Sequence, residues 1–145
     1  MCNREVIYID RAEGVIGAAK VMRERHVGDL VVVDASVDAR APIGLLTDRD
    51  LVVSALAQDA ADLTRLLVGD LLTRAVVSVS EDAAVAEALR LMRVHGVRRL
   101  PVLDADGGLV GLVTSDDVIE FLAEQLSDLA LISTSQRRRE EKLRP

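Results

Sequence analysis

The sequence contains one unit twice, and this repeat limits the folds open to the chain more than any other feature. When the sequence is shifted by 70 positions, residues 2–34 align with residues 72–104 without a gap, and ten of the 33 pairs are identical. Met22 with Met92 and Asp34 with Asp104 are two of these pairs. The repeat predicts two copies of one supersecondary unit. The 145 residues suit two small halves that share a core.

A seven-residue motif recurs near the end of each copy. It reads Gly-Leu-Leu-Thr-Asp-Arg-Asp at 44–50 and Gly-Leu-Val-Thr-Ser-Asp-Asp at 111–117. The shift between the motifs is 67 positions (111 − 44), so the first copy holds three extra residues, which we place in the loop Ala35–Pro42. A short apolar run followed by Thr and, three residues later, by Asp is typical of a strand that turns directly into a helix.

Each copy is predicted to run strand, helix, strand, strand, helix (β-α-β-β-α), because β-branched runs alternate with apolar residues at helical spacing. In the first copy the elements are Val6–Ile9, Val15–Arg25, Leu30–Val33, Ile43–Leu46 and Asp48–Gln58. In the second copy they are Val76–Val79, Val85–His95, Leu100–Leu103, Leu109–Val113 and Ser115–Leu126. Turns are expected at Asp34–Pro42 and Asp104–Gly108, and the first helices end near Gly28 and Gly96. The predicted class is α/β, of the α+β type.

The remaining segments connect or extend the two copies. We expect Asp59–Leu72 to join them, and the residues after Leu126 to form a final helix with a charged end of mixed sign, Arg137–Lys142. The predicted division is residues 2–65 and 66–126 for the two repeats and residues 127–145 for a charged helical tail.

The Thr and Asp of the two motifs have two predicted roles. Thr47 and Thr114 can cap their helices, with Asp50 and Asp117 completing a capping box at the third helical position. An Asp beside a helix start can also accept hydrogen bonds from ribose hydroxyls, as in dinucleotide sites. The first role does not exclude the second.

Composition argues against several classes of partner. The net charge of −6 argues against binding to a nucleic-acid backbone. Tyr8 and Phe121 are the only aromatic residues, so a bound adenine-like ring would be held by aliphatic side chains. No apolar run approaches the ~18–20 residues of a membrane span, and no signal-peptide pattern is found. Cys2 is the single cysteine, which fits a reducing compartment. We expect a soluble, cytoplasmic protein.

Catalysis is not predicted. His26 and His95 are the only histidines, and neither has a Ser, Cys or carboxylate neighbour at a recognisable spacing. No Cys/His cluster of metal-ligand type and no Walker-type phosphate loop is present in the sequence. We therefore expect a protein that is not an enzyme, binds no metal and requires no cofactor.

The repeat resembles the CBS domain in its tandem form, the Bateman module. The resemblance is carried by the two Gly-x-x-Thr-x-x-Asp motifs, by the segment Val97–Asp104 and by the segment Gly69–Thr73 before the second copy. It covers about residues 2–126 and implies a pseudo-twofold disc, in which the sheets of the two repeats pack together and two clefts form between the halves.

The resemblance also implies a ligand and the residues that hold it. Such clefts commonly bind adenosine compounds: AMP, ADP, ATP or, in some members, S-adenosylmethionine. The family pattern assigns the ribose to Asp50 and Asp117 and places Thr47 and Thr114 near ribose or phosphate. It assigns the base to aliphatic residues of the first strands and the phosphate to basic residues before the second strand of the second copy; these are Ile7, Ile9, Val77, Val79, Arg98 and Arg99.

The two copies differ at the phosphate position. Gly28 and Asp29 stand where the second copy has Arg98 and Arg99, and a carboxylate there repels phosphate by roughly 1 kcal/mol or more. We predict two unequal clefts, with the phosphate-bearing ligand in the one that contains the arginines. The sequence leaves open which corner Asp shares that cleft. It also leaves open surface salt bridging as the alternative role of both arginines.

We expect a regulatory module that senses an adenine nucleotide and signals through a homodimer or to a regulated protein partner. Two alternatives stay open at this point. One is a structural scaffold whose clefts bind nothing, and the other is a module that binds S-adenosylmethionine or NAD(H).

Overall fold

The protein is described by a computed structural model over residues 4–57 and 62–144, with only the backbone of Ala39 described. The first half contains a sheet of three strands in the order β1-β2-β3, with β1 parallel to β2 and β2 antiparallel to β3. Its strands are β1 (Tyr8–Asp10), β2 (Asp29–Asp34) and β3 (Asp38–Thr47). Its helices are α1 (Val15–Arg25) and α2 (Asp48–Asp50), the latter continued by a π-helical segment, Leu51–Leu56.

The second half repeats this topology, with the sheet order β4-β5-β6. Its strands are β4 (Val79–Ser80), β5 (Arg99–Leu103) and β6 (Leu109–Thr114), and its helices are α3 (Val85–His95) and α4 (Ser115–Leu143). A 3₁₀ helix, Val68–Leu71, precedes β4 in the connection between the halves. The predicted α+β class and the two β-α-β-β-α units are confirmed.

The two central strands explain where the cores lie. Leu30, Val31, Val32 and Val33 of β2 are all buried, as expected for a strand covered on both faces. Each half has its own cluster of buried apolar side chains, one around Leu30 and one around Leu100. The halves meet where β3 approaches β6, and Arg40 Nη2 donates to Asp104 Oδ2 across this junction at 2.6 Å.

The first strands of both copies begin later than predicted. Pairing with β2 starts at Tyr8 rather than Val6, and pairing with β5 starts at Val79 rather than Val76. The apolar residues before each strand, such as Val6 and Val76, line cavities between the halves instead. Partial burial at the cavity walls, outside the sheet, therefore explains why these residues are apolar like those of a strand.

The expected turn at Asp34–Pro42 is too long, because β3 already begins at Asp38. β2 advances by one residue from Val33 to Asp34, while β3 passes through four positions from Pro42 to Asp38. The three extra residues of the first copy therefore form a bulge within the hairpin. A bulge accommodates an insertion without breaking the strand.

The second helix of the first copy is partly π-helical, which the sequence did not predict. The Ala57 amide donates to the Val52 carbonyl at 2.9 Å, five residues back, as in a π turn. The helical region ends at Leu56. The predicted final residue, Gln58, lies outside the described residues.

The first helices end in left-handed residues at equivalent positions of the two copies. Gly96 ends α3 with φ 65°, as expected for a glycine. His26, not Gly28, occupies that position after α1, with φ 55°. Gly28 lies two residues beyond this cap, near the helix end as expected, but the left-handed position belongs to His26, which therefore has a backbone role at the cap.

The last helix is a single element. The sequence suggested that one helix stops at Leu126 and another follows, but α4 runs from Ser115 to Leu143 without a break. No Gly or Pro occurs between these residues to end it. In the described ranges, no helix has the combination of length and apolar character that a membrane crossing needs.

Candidate functional site

Two cavities between the halves contain most of the predicted site residues. The larger has a volume of about 810 Å³ and takes Thr47 and Asp50 from the first half and Val77, Arg98 and Arg99 from the second. The smaller, about 180 Å³, takes Ile7 from the first half and Thr114 and Asp117 from the second. The corner residues Thr47 and Asp50 are thus those that share a cavity with the two arginines.

Two predicted base-pocket residues lie elsewhere. Ile9 and Val79 are each 7% exposed and belong to the hydrophobic cores of the first and second halves, respectively. Ile9 pairs with Val32 and Val79 with Val102 inside the sheets. Only Ile7 and Val77, which precede the paired strand residues, face the cavities.

The predicted capping boxes are present at both corners. Asp50 Oδ2 accepts from Thr47 N and Thr47 Oγ1, both at 2.8 Å, and Thr47 Oγ1 accepts from Asp50 N at 3.2 Å. Thr114 and Asp117 repeat this arrangement at 2.7, 2.7 and 3.1 Å. Within the described part of the chain, the bonds of both carboxylates use Oδ2, which leaves Oδ1 of Asp50 available to a ligand hydroxyl.

Arg98 and Arg99 each have a carboxylate partner. Arg98 Nη2 lies 3.2 Å from Asp116 Oδ1, and both side chains are more than 70% exposed, so the pair is weak. Arg99 Nε lies 2.9 Å from Asp29 Oδ1, and here Asp29 is only 14% exposed. Salt bridging, the alternative that the sequence left open, is therefore one role of both residues.

Burial raises the pKa of the Asp29 carboxyl above its usual value. The Arg99 guanidinium opposes this rise, and the negative charge of Asp48 adds to it. Burial and the Asp48 charge together therefore outweigh the stabilisation that Arg99 gives to the charged form of Asp29.

The two cavities differ in charge as well as in volume. The larger is lined by Arg49, Arg74, Arg98 and Arg99 and by one carboxylate, Asp50. The charged residues that line the smaller are all acidic: Glu5, Asp29 and Asp117. This asymmetry makes the larger cavity the better site for an anion.

Sequence reasoning missed Arg49 and Arg74. Neither side chain has a carboxylate partner among the described residues, whereas Arg98 and Arg99 do. Arg49 lies inside the first motif, and a basic residue at that place could have been predicted to bind phosphate. Arg74 lies outside both motifs, in the segment that leads into the second copy, so its position offered no such signal.

The connection between the halves also lines the larger cavity. Leu71, Leu72 and Thr73 contribute to its wall. A Cβ added at Gly44 would lie 2.6 Å from Leu72 Cδ2, so the first glycine of the motif gives Leu72 room to pack there. The glycine therefore shapes the cavity wall as well as the strand.

A third cavity, of about 300 Å³, lies between the first half and the connection, beside Asp10 and Asp34. Both carboxylates accept hydrogen bonds from loop amides, Asp10 from Ala12 at 2.8 Å and Asp34 from Ser36 at 3.1 Å. Both carboxylates thus stabilise turns through these hydrogen bonds.

The histidines and acidic residues do not form a metal-binding group in the described ranges. No cluster of three or more His, Cys, Asp or Glu side chains is placed to hold an ion, and Cys2 lies outside those ranges. His95 is exposed at the rim of the larger cavity.

The sequence profile of the CBS domain matches the chain twice, at residues 1–56 and 68–124. The uncharacterized protein MK0525 of Methanopyrus kandleri is 35% identical over 120 residues, which are 83% of this chain. Those residues make up 59% of MK0525, so this chain spans less than two thirds of that relative.

Two solved structures are similar in fold and sequence. One is the crystal structure of Hypoxic Response Protein I with two coordinated zinc ions, at 33% identity and a TM-score of 0.72, covering 83% of this chain and 94% of that one. The other is CBSX2 in complex with AMP, at 28% identity and a TM-score of 0.69, covering 88% and 93%.

Proposed function

The chain belongs to the CBS domain family, and from this premise we propose that it is a regulatory module that binds a phosphate-bearing adenosine compound in the larger cavity. AMP, ADP and ATP are the expected class. The ribose hydroxyls would bond to Asp50 Oδ1, and the aliphatic wall around Val77 would contact the base.

The observation that carries the proposal is the charge of the larger cavity. Four arginines and one aspartate line about 810 Å³ of space, a volume in the range of small-molecule sites. Arginine is suited to phosphate because its planar fork offers paired N–H donors. Arg49 and Arg74, unpaired among the described residues, are the best-placed of the four.

The smaller cavity would not take the same ligand. Its volume of about 180 Å³ is below the range typical of ligand sites, and its carboxylates repel phosphate. The two clefts are therefore functionally unequal, with one nucleotide per chain.

CBSX2, solved with AMP, supports the choice of ligand class, because it shares the fold with this chain at 28% sequence identity. A regulatory rather than catalytic role is supported by the site itself. Among the residues that the structure describes around the larger cavity, the Thr47 hydroxyl and the Asp50 carboxylate are bonded to each other in the capping box, and His95 lies exposed at the rim.

The module would signal as a homodimer that packs through α4. Ile119, Leu122, Leu126 and Leu129 recur at spacings of three and four residues, and each is at least 44% exposed. Leu126→Glu should shift the molar mass by light scattering from dimer to monomer. Leu131→Glu, on another face of α4, is the matched control and should leave the dimer intact. A monomeric wild-type protein would refute the dimer.

Thermal unfolding in the presence of ligands tests the proposed function. The protein is unfolded with AMP, ADP, ATP, NADH or S-adenosylmethionine, each at about 1 mM. A ligand at ~100 times its dissociation constant adds ~2.7 kcal/mol to the free energy of unfolding. We expect a rise in Tm with at least one adenine nucleotide. No shift with any of the five would favour a scaffold without ligand, and a shift only with S-adenosylmethionine would refute the phosphate class.

A further inference from the structure

The ion pair between Asp29 and Arg99 joins equivalent positions of the two copies. The residues are 70 positions apart, which is the period of the repeat, and they begin the equivalent strands β2 and β5. Their 2.9 Å contact therefore joins the two halves at positions that the repeat makes equivalent. Arg99 lines the larger cavity and Asp29 the smaller, so the pair is part of the partition between them.

A phosphate and Asp29 would use the same guanidinium. Arg99 is the more exposed partner, at 39% against 14% for Asp29, so an anion can approach it from the larger cavity. The contact to Asp29 uses Nε, one of the atoms through which arginine binds oxyanions in a bidentate manner. The pair of Arg98 with Asp116 is different, because both side chains are solvated and the attraction is screened.

We propose that Asp29 is a built-in competitor for the ligand's phosphate: it holds Arg99, and a nucleotide binds in the larger cavity at the expense of this ion pair. The inference rests on the proposed function and adds a residue that sets affinity without touching the ligand. Occupation of the larger cavity would then leave the Asp29 carboxylate facing Asp48 and the acidic smaller cavity without its counter-ion. Arg99 does not fully offset the burial of Asp29 together with the repulsion from Asp48, and this agrees with a pair that can be opened.

The test compares AMP with adenosine, which lacks the phosphate, by calorimetric titration of the full chain. The measured quantity is the ratio of the two dissociation constants in wild type, Asp29→Asn, Arg99→Gln and the double variant. Asp29→Asn should raise the preference for AMP about five-fold, because the phosphate then no longer has to displace Asp29 from Arg99; this factor corresponds to about 1 kcal/mol. Glu87→Gln, which removes one exposed carboxylate paired with Arg90 away from both cavities, should leave the ratio unchanged.

The double variant separates competition from simple repulsion. If Asp29 acts through Arg99, Asp29→Asn has no effect on the ratio when Arg99 is already Gln. An effect that persists in the Arg99→Gln background would overturn the proposal. So would an unchanged or lowered AMP preference in Asp29→Asn, because Asp29 would then orient Arg99 rather than compete for it.

Two further outcomes are distinguishable. If wild type binds neither compound, the proposed function fails, and the inference fails with it. If wild type binds both but the ratio does not respond to Asp29→Asn, only the inference fails. Asp29→Ser is a second neutral variant and gives the same readout if the Asn variant does not fold.

Discussion

Asp50 and Asp117 form a natural matched pair, because their capping geometry is the same while their cavities differ. In each case the carboxylate Oδ2 accepts from the N–H and the hydroxyl of the preceding Thr, at 2.7–2.8 Å. Replacing either residue by Ala removes these two bonds. Each change should lower the free energy of unfolding by about 1 kcal/mol, which corresponds to a Tm lowered by about 2–4 °C.

The response to ligand should separate the two variants. A hydrogen bond to a charged group is worth ~1.5–3 kcal/mol, so Asp50→Ala should weaken nucleotide binding by roughly 10- to 150-fold. At a ligand concentration ~100 times the wild-type dissociation constant, a 100-fold loss reduces the stabilisation from ~2.7 to ~0.4 kcal/mol. Asp117→Ala should keep the full stabilisation, because Asp117 lines the smaller, acidic cavity.

The assay is thermal unfolding of wild type and both variants, with and without AMP. Equal losses of the AMP-induced shift in both variants would show that the two cavities are not distinguished as argued. Retention of the shift in Asp50→Ala, together with its loss in Asp117→Ala, would place the ligand in the wrong cavity and refute the reasoning from charge and volume.

Two other predictions concern stability. His26→Gly should raise the free energy of unfolding by about 0.5–1 kcal/mol, since a left-handed φ of 55° strains any residue but glycine. Gly96→Ala should lower it by about 1 kcal/mol for the same reason. Changes of the same sign for the two variants in urea unfolding would contradict this account. The pKa of Asp104 lies below 3.8, mainly because the Gly108 amide donates a hydrogen bond to its carboxylate. The ionised carboxylate therefore stabilises the fold at pH values above its unfolded pKa, and this stabilisation is lost as the pH falls through the lower folded pKa. Asp104→Asn should therefore destabilise the fold at neutral pH, and its difference from wild type in urea unfolding should shrink as the pH falls through the lowered folded pKa of Asp104; a pH-independent difference would disprove the linkage.

Local features of the fold were predictable because they depend on neighbouring residues. Thr47 and Asp50 indicate a capping box through their spacing alone, and the structure contains it. The repeat then carries the same inference to Thr114 and Asp117. The apolar run Leu30–Val33 predicts a central strand for the same kind of reason.

Features that depend on packing between the halves were not predictable from one sequence. Nothing in the periodicity tells that Asp50, rather than Asp117, shares a cavity with Arg99, because that depends on how the two sheets pack. Ile9 and Ile7 have the same residue type, yet only Ile7 lies at a cavity. The π turn at Leu51–Leu56 also could not be predicted from the sequence, since the spacing of its apolar residues fits an α-helix equally well.

A crystal structure of the protein grown with AMP tests the central claim most directly. The account predicts one AMP per chain in the larger cavity, with the ribose hydroxyls on Asp50 Oδ1 and the phosphate on arginines of the Arg49, Arg74, Arg98 and Arg99 set. AMP in the smaller cavity beside Asp117, or an unoccupied larger cavity in a protein that binds AMP in solution, would contradict it.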